Sequence, residues 1–208
     1  MWKEPITLEG EHVRLEPLAE SHADALVAAA SGDTELYRWS PVPLTRADAL
    51  AYIKTALGWQ VAGTAIPFAT VRRSDGRVIG STRFFHVDYW SWPAGHPRHG
   101  RNAPDGCEIG YSWLARDATR TAANTEAKLM MLSHAFETWG VFRVCFHADM
   151  RNERSRAALT RLGAMFEGVL RAHRMAVDGV SRDSARFSIL AAEWPAIRER
   201  LHGRLARA

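Results

Sequence analysis

The sequence predicts a mixed α/β fold on one largely antiparallel sheet, and three observations predict it. Apolar strand-like runs bounded by turn signals recur along the chain. Helical patterns interrupt them in the order β, α, α, β, β, β, α, β, α, β, β, α, which is not the strict alternation of a doubly wound parallel sheet. Two turn signals, Ser74-Asp75-Gly76 and Asp178-Gly179, join consecutive strands as hairpins. At 208 residues the chain reads as one domain, 1–208, large enough to bury roughly 70% of its unfolded surface.

Taken in order, residues 6–15 (ITLEGEHVRL) read as a strand pair or a bent first strand. Residues 19–30 read as a helix with Ser21 as cap and Asp24 near its start. Residues 37–44 form a Pro-broken loop. Thr45 caps a second helix to about Val61, with Asp48 at N3 completing a capping box. Strands 66–72 and 77–87 follow, then a long loop, 88–106, rich in Gly, Pro, His and Trp. The strand 107–114 precedes a helix at 124–140. Residues 141–148 are nearly all apolar, as a central strand requires. Residues 152–162 are helical and stop at Gly163. Residues 164–177 and 181–191 form the last hairpin, and 193–205 a terminal amphipathic helix.

Composition narrows the class. Hydrophobic residues make up 47% of the chain, as in a folded soluble protein. No apolar run approaches the roughly 20 residues that span a bilayer, and the first residues are charged too early for a signal peptide. Two cysteines, Cys107 and Cys145, suit a reducing compartment without a disulfide framework, so the cytoplasm is expected. Cys145 reads as a small buried apolar residue, and no base for a nucleophilic Cys107 is identifiable from spacing. The formal charge is +4, and Lys3, Lys54 and Lys128 are the only lysines. A basic surface of this kind attracts anionic ligands. Nucleic-acid motifs are absent. His96 and His99 lack further spaced ligands, so no metal is expected, and His86, His134 and His147 read as structural.

The richest stretch is 119–128, TRTAANTEAK. It links an apolar strand to an amphipathic helix. Such a turn presents unpaired N–H groups at a helix N-terminus, a ready site for phosphate or pyrophosphate. Arg116 and Arg120 add positive charge beside it. A phosphate-bearing cofactor is expected there.

Several short motifs occur in a telling order: VRLEPL at 13–18, VIGSTR at 78–83, EIGYSWL at 108–114, NTEAK at 124–128, AFE at 135–137, RNERSRAALTRLGA at 151–164 and EGVLR at 167–171. Together they resemble the GNAT superfamily of acyl-CoA-dependent N-acetyltransferases, in its RimJ/RimL-like branch, over nearly the whole chain. The resemblance implies a mixed, mostly antiparallel sheet of about seven strands flanked by helices, with two central strands splayed. It implies acetyl-CoA as co-substrate and a primary amine as acceptor, either a peptide N-terminus or a small molecule, without metal, nucleic acid or membrane. A homodimer through the C-terminal strands is compatible with it. One departure stands out. The family's phosphate loop usually reads Q/R-x-x-G-x-G/A, and Thr119, Ala122 and Asn124 occupy those positions here.

The resemblance also assigns roles. Main-chain groups of Tyr111, Trp113 and Leu114 would pair with the pantetheine arm, a Leu114 N–H facing the thioester oxygen. The turn Arg120, Thr121, Ala122, Ala123, Asn124 and Thr125 would cradle the pyrophosphate, with Asn124 capping the helix. Asn152 would contact the pantetheine arm, and Arg156, with Arg151 or Arg154, the 3′-phosphate. Glu108 is the expected general base, directly or through water, and Ser155 the general acid to the thiolate. Trp39, Tyr89, Trp90 and Trp92 are expected to border the acceptor. Two other readings stay open: a non-catalytic acyl-CoA-binding or regulatory module, which the altered phosphate loop would explain, and a transferase for a larger acyl group such as succinyl.

Overall fold

The computed structural model describes residues 4–207; Lys3 lies outside the described residues. The elements run β1 (Leu8–Glu9), β2 (Val13–Pro17), α1 (Ala23–Ala30), α2 (Arg46–Val61), β3 (Ala65–Arg72), β4 (Val78–Asp88), β5 (Gly106–Leu114), α3 (Ala122–Ser133), β6 (Arg143–Asp149), α4 (Glu153–Leu162), β7 (Met165–Met175), β8 (Ser181–Leu190) and α5 (Trp194–Leu205). One sheet of eight strands results, in the order β1-β2-β3-β4-β5-β6-β8-β7. The eighth strand is the two-residue β1, the first arm of the expected strand pair.

Local chemistry explains the boundaries. Thr45 accepts from the Asp48 N–H at 3.1 Å while Asp48 accepts from the Thr45 N–H, the expected capping box. Both hairpins form at the two turn signals, where Gly76 and Gly179 take φ of +69° and +75°. At the first helix the expected Ser21 cap does not form. A 3₁₀ turn spans Glu20–His22, and the His22 ring accepts from the Ala19 N–H at 3.0 Å. Helix α3 runs on as wide π-type turns through Trp139 and ends at Gly140, φ +68°.

Alternation along β4 separates the two helical layers. Arg83 faces Tyr52 and Trp59 of α2, whereas the adjacent Thr82 faces Met131 and Lys128 of α3. Successive strand residues point to opposite faces, so α2 and α3 cover opposite sides of the sheet. Leu15, Phe68, Ile79, Phe84, Met131, Leu132 and Ile189 are among the fully buried side chains of the core.

Glu126 locks α3 to the sheet edge. Its buried carboxylate accepts the N–H groups of Glu11, His12 and Val13 at 2.7, 2.8 and 2.7 Å. The tie explains Gly10, where a Cβ would sit 2.4 Å from that carboxylate.

All neighbouring strands run antiparallel except β5 and β6, which α3 connects as a crossover. Their parallel ladder is short. It pairs Gly106, Cys107 and Glu108 with Arg143, Val144 and Cys145, then stops. On their other edges β5 stays paired with β4 to Leu114 and β6 with β8 to Asp149. The sheet therefore opens between Ile109 and Leu114 on one side and Phe146 and Asp149 on the other.

Candidate active site

The opening is a cleft of about 1320 Å³. Its walls come from both splayed strands, the α3 N-terminus, α4, the loop around Trp39 and the β7–β8 hairpin. A bulge shapes the β5 wall. Arg83 pairs with Gly110 and Ser81 with Trp113, so Tyr111 and Ser112 face Thr82 alone. Tyr111 takes φ +51° there. The Leu114 carbonyl is occupied by the Tyr37 hydroxyl at 2.9 Å. Tyr111, Trp113 and Leu114 all line the cleft, as does the free edge of β6.

At the closed end sits Glu108, on the last paired rung. His86 Nδ1 lies 3.0 Å from one carboxylate oxygen, Arg174 3.4 Å from the same oxygen, and His147 Nδ1 2.8 Å from the other. Burial pushes the carboxyl up, but the two imidazoles and the Arg174 charge outweigh it and hold it at about 2. Glu108 is thus an ionised anchor for its neighbours. His147 lines the cleft, and its Nε2 is buried without a hydrogen-bond partner among the described residues.

The open end carries the phosphate-site turn. The helix cap is Thr121, whose Oγ1 accepts from the Ala123 N–H at 3.2 Å; Asn124, expected as the cap, lies inside the first turn. The left-handed residue of the turn is Arg120, φ +60°. Ala122 is already helical, so the conformation at that position does not demand the missing glycine. Thr119, Arg120, Thr121, Asn124 and Thr125 line the cleft; Ala122 and Ala123 do not. Arg116 lines it too, paired with Asp33.

Helix α4 begins beneath the gap because Asn152 caps it, its Oδ1 accepting from the Ser155 N–H at 3.0 Å. Asn152 and Ser155 both line the cleft. Arg156 does not. Its guanidinium donates to the Met150 carbonyl at 3.0 Å. Arg151 is held by Asp149 and Asp178 at 2.8 and 2.7 Å and lies 4.1 Å over the Trp39 ring. Arg154 donates to the Leu36 carbonyl at 2.5 Å.

Trp39 lines the cleft, as do Arg174, Met175, Val177 and Arg182. Tyr89, Trp90 and Trp92 do not reach it. Trp90 stacks on Phe142 at 4.9 Å, and Trp92 donates its indole N–H to the buried Asp105 at 3.0 Å. The two tryptophans of the long loop tie it to the body of the fold through ring contacts with Phe142, although Trp90 stays half exposed. His96 stacks on Trp92, and His99 bonds the Trp92 carbonyl. No group of three His, Cys, Asp or Glu converges among the described residues. Cys107 is buried, and burial raises its thiol well above the ordinary range.

One residue without an expected role stands in the cleft. Lys128 completes the stripe Thr121, Asn124, Thr125 and Lys128 on α3, at the spacing that shares one helix face. Its Nζ donates to Ser112 Oγ at 2.5 Å and Thr82 Oγ1 at 3.2 Å. Burial alone pulls its pKa down to about 7. The stripe spacing was present in the sequence, but the burial was not.

Residues 12–165 match the family described as Acetyltransferase (GNAT) domain. YdaF of Bacillus subtilis (strain 168), provisionally named a ribosomal N-acetyltransferase, is 36% identical over 87 residues, 42% of this chain and 46% of that protein. The match thus spans about half of that relative. A structure from T. thermophilus, provisionally titled an acetyltransferase, superposes with a TM-score of 0.79 at 37% identity, covering 99% of this chain and 100% of that one. Mycobacterium smegmatis RimJ in complex with CoA-disulfide shares the fold at a TM-score of 0.78 and 23% identity, over 97% and 96% of the two chains. Among the described residues no helix is long and apolar enough to cross a membrane. The chain belongs to the GNAT acetyltransferase family.

Proposed function

We propose that this protein moves an acetyl group from acetyl-CoA to a primary amine by direct attack of the amine on the thioester. The observation that carries the reading is the unzipped β5–β6 edge, which shares one cleft with a helix N-terminus. Acetyl-CoA would supply the activated acetyl group. The unpaired main-chain edge of β5 at Tyr111, Trp113 and Leu114 suits an amide-bearing arm, since strand edges offer hydrogen bonds at regular intervals. The first turn of α3, with Arg120, Thr121, Asn124 and Thr125, suits a pyrophosphate. Ala122 and Ala123 contribute main chain only, and the Ala123 N–H is already used by Thr121. Asn152, which lines the cleft, would meet the arm. Arg156 would reach a phosphate only by leaving the Met150 carbonyl.

The acceptor amine enters between Trp39 and the β7–β8 hairpin. A carboxyl held at about 2 keeps a proton poorly at neutral pH, so Glu108 works as a pair with His147, the imidazole carrying the proton and the carboxylate fixing the ring. Ser155 is a hydrogen-bond donor toward the sulfur side. The acceptor is a primary amine, either a protein N-terminus or a small molecule.

Arginine placement supports one further reading. Arg174 and Arg182 line the cleft near Glu108, and their charge suits a carboxylate on the acyl group, as in succinyl-CoA.

The test is thermal unfolding with acetyl-CoA, succinyl-CoA or adenosine, followed by thiol release with an amine panel. A thioester at 100 times its dissociation constant stabilises the fold by about 2.7 kcal/mol. Stabilisation by acetyl-CoA with thiol release supports acetyl transfer. Stabilisation without turnover on any amine makes the chain a binding module, and a preference for succinyl-CoA makes it a succinyltransferase.

A further inference from the structure

Lys128 is a buried amine that meets no opposite charge among the described residues. It is 6% exposed, lines the cleft and has no carboxylate within ion-pair distance among the described residues. Only two hydroxyls hold its Nζ, those of Ser112 and Thr82, which also bond each other at 2.7 Å. Ser112 belongs to the β5 bulge and Thr82 faces it from β4, beside the free edge of β5. A buried ammonium without a counter-charge is costly, and the neighbouring Met130 and Met131 show that this helix fills adjacent positions with apolar side chains. The site therefore lacks an anion.

Position says which anion. Lys128 lies seven residues beyond Thr121, about 10 Å further along the helix. That is too deep for phosphate at the helix N-terminus and level with the bulge. The group that gains negative charge at that depth, on the reading proposed above, is the leaving sulfur. A thiolate of ordinary basicity is matched by an ammonium as acid far better than by the Ser155 hydroxyl.

We propose that Lys128 is the proton donor to the departing CoA sulfur. The amine N–C bond forms as the C–S bond breaks, and the sulfur takes the electron pair. One Nζ proton passes to it, leaving free thiol and a neutral lysine. Ser112 and Thr82 hold the amine on course, and solvent returns the proton between turnovers. The amine's own proton leaves separately on the Glu108–His147 pair.

The inference rests on acetyl-CoA being the ligand, and binding separates the two claims. Calorimetry would compare CoA with desulfo-CoA, which lacks only the sulfur, on the wild type and Lys128→Met. The wild type should prefer CoA by about tenfold, and Lys128→Met should bind both about equally, with desulfo-CoA affinity unchanged as the fold control. With acetyl-CoA, Lys128→Met should lose about 10²-fold in kcat at unchanged KM, and Lys128→Arg, which keeps the charge but cannot give up a proton, should not recover it. An equal CoA preference in wild type and variant would overturn the Lys128 role and leave the acetyl-CoA reading standing. No binding of either ligand to the wild type would overturn both.

Discussion

Replacing Lys128 with Met should make the protein more stable at neutral pH. The folded lysine titrates near 7 instead of 10.5. At pH 7 that gap corresponds to a folding penalty of about 4 kcal/mol, an upper bound for a buried group. Methionine removes the penalty but forfeits two hydrogen bonds to hydroxyls, each worth about 1 kcal/mol. Ser112 and Thr82 keep their mutual bond at 2.7 Å, so neither is orphaned. The net gain is about 2 kcal/mol, or roughly 4–8 °C in Tm for a chain of this size. The pH dependence follows from the direction of the shift. Below about 7 the folded lysine is charged and the whole penalty applies. Between about 7 and 10.5 it is neutral in the fold yet charged when unfolded, so wild-type stability rises with pH and the advantage of the variant shrinks. Calorimetric unfolding of both proteins at pH 6, 7.5 and 9 reads this directly. A variant less stable than wild type at pH 6, or an advantage that does not change with pH, would refute the claim that an unpaired buried charge resides there.

Four further outcomes follow from the same geometry. Glu126→Ala leaves three N–H groups of the β1–β2 turn without their acceptor and should cost about 3 kcal/mol or more, read as a drop in the urea midpoint. Glu108→Gln should lower kcat by about 10²-fold. The wild-type Glu108 contribution, about 3 kcal/mol, is complete above the unfolded carboxyl value of 4.5 and is lost as pH falls through about 2, so the variant should show a flatter acid-stability profile in that window. Trp39→Ala should raise KM for the amine and leave CoA affinity unchanged, whereas Trp92→Ala should lower Tm and leave both binding constants alone. Gly10→Ala should destabilise by about 1–3 kcal/mol because its Cβ collides with the Glu126 carboxylate.

Much of the site was legible as position rather than contact. The stretch around Thr121 announced a helix N-terminus, and α3 starts there, two residues earlier than the apolar pattern suggested. Asn152 heads the helix expected over 152–162 and caps it. The tryptophans of the long loop misled because exposure cannot be read from a Pro- and Gly-rich segment. Their partners, Phe142 and Asp105, lie elsewhere in the chain. Arg151 and Arg156 flank the start of α4 and were expected at a phosphate, yet each is satisfied by the chain itself. Lys128 went unassigned and His147 read as structural, because a single lysine or histidine in an apolar pattern says nothing of what surrounds it.

By itself the sequence determined the element order, both hairpins, the α2 capping box and the antiparallel character of the sheet. All of these rest on interactions within a few residues or on the period of apolar side chains, which a linear reading contains. Tertiary structure alone decided where the β5–β6 ladder stops, which carboxylate each histidine meets, and that Lys128 is buried without an anion. Those depend on residues tens of positions apart whose side chains share one cleft, and on the desolvation that follows when the sheet and helices close around them.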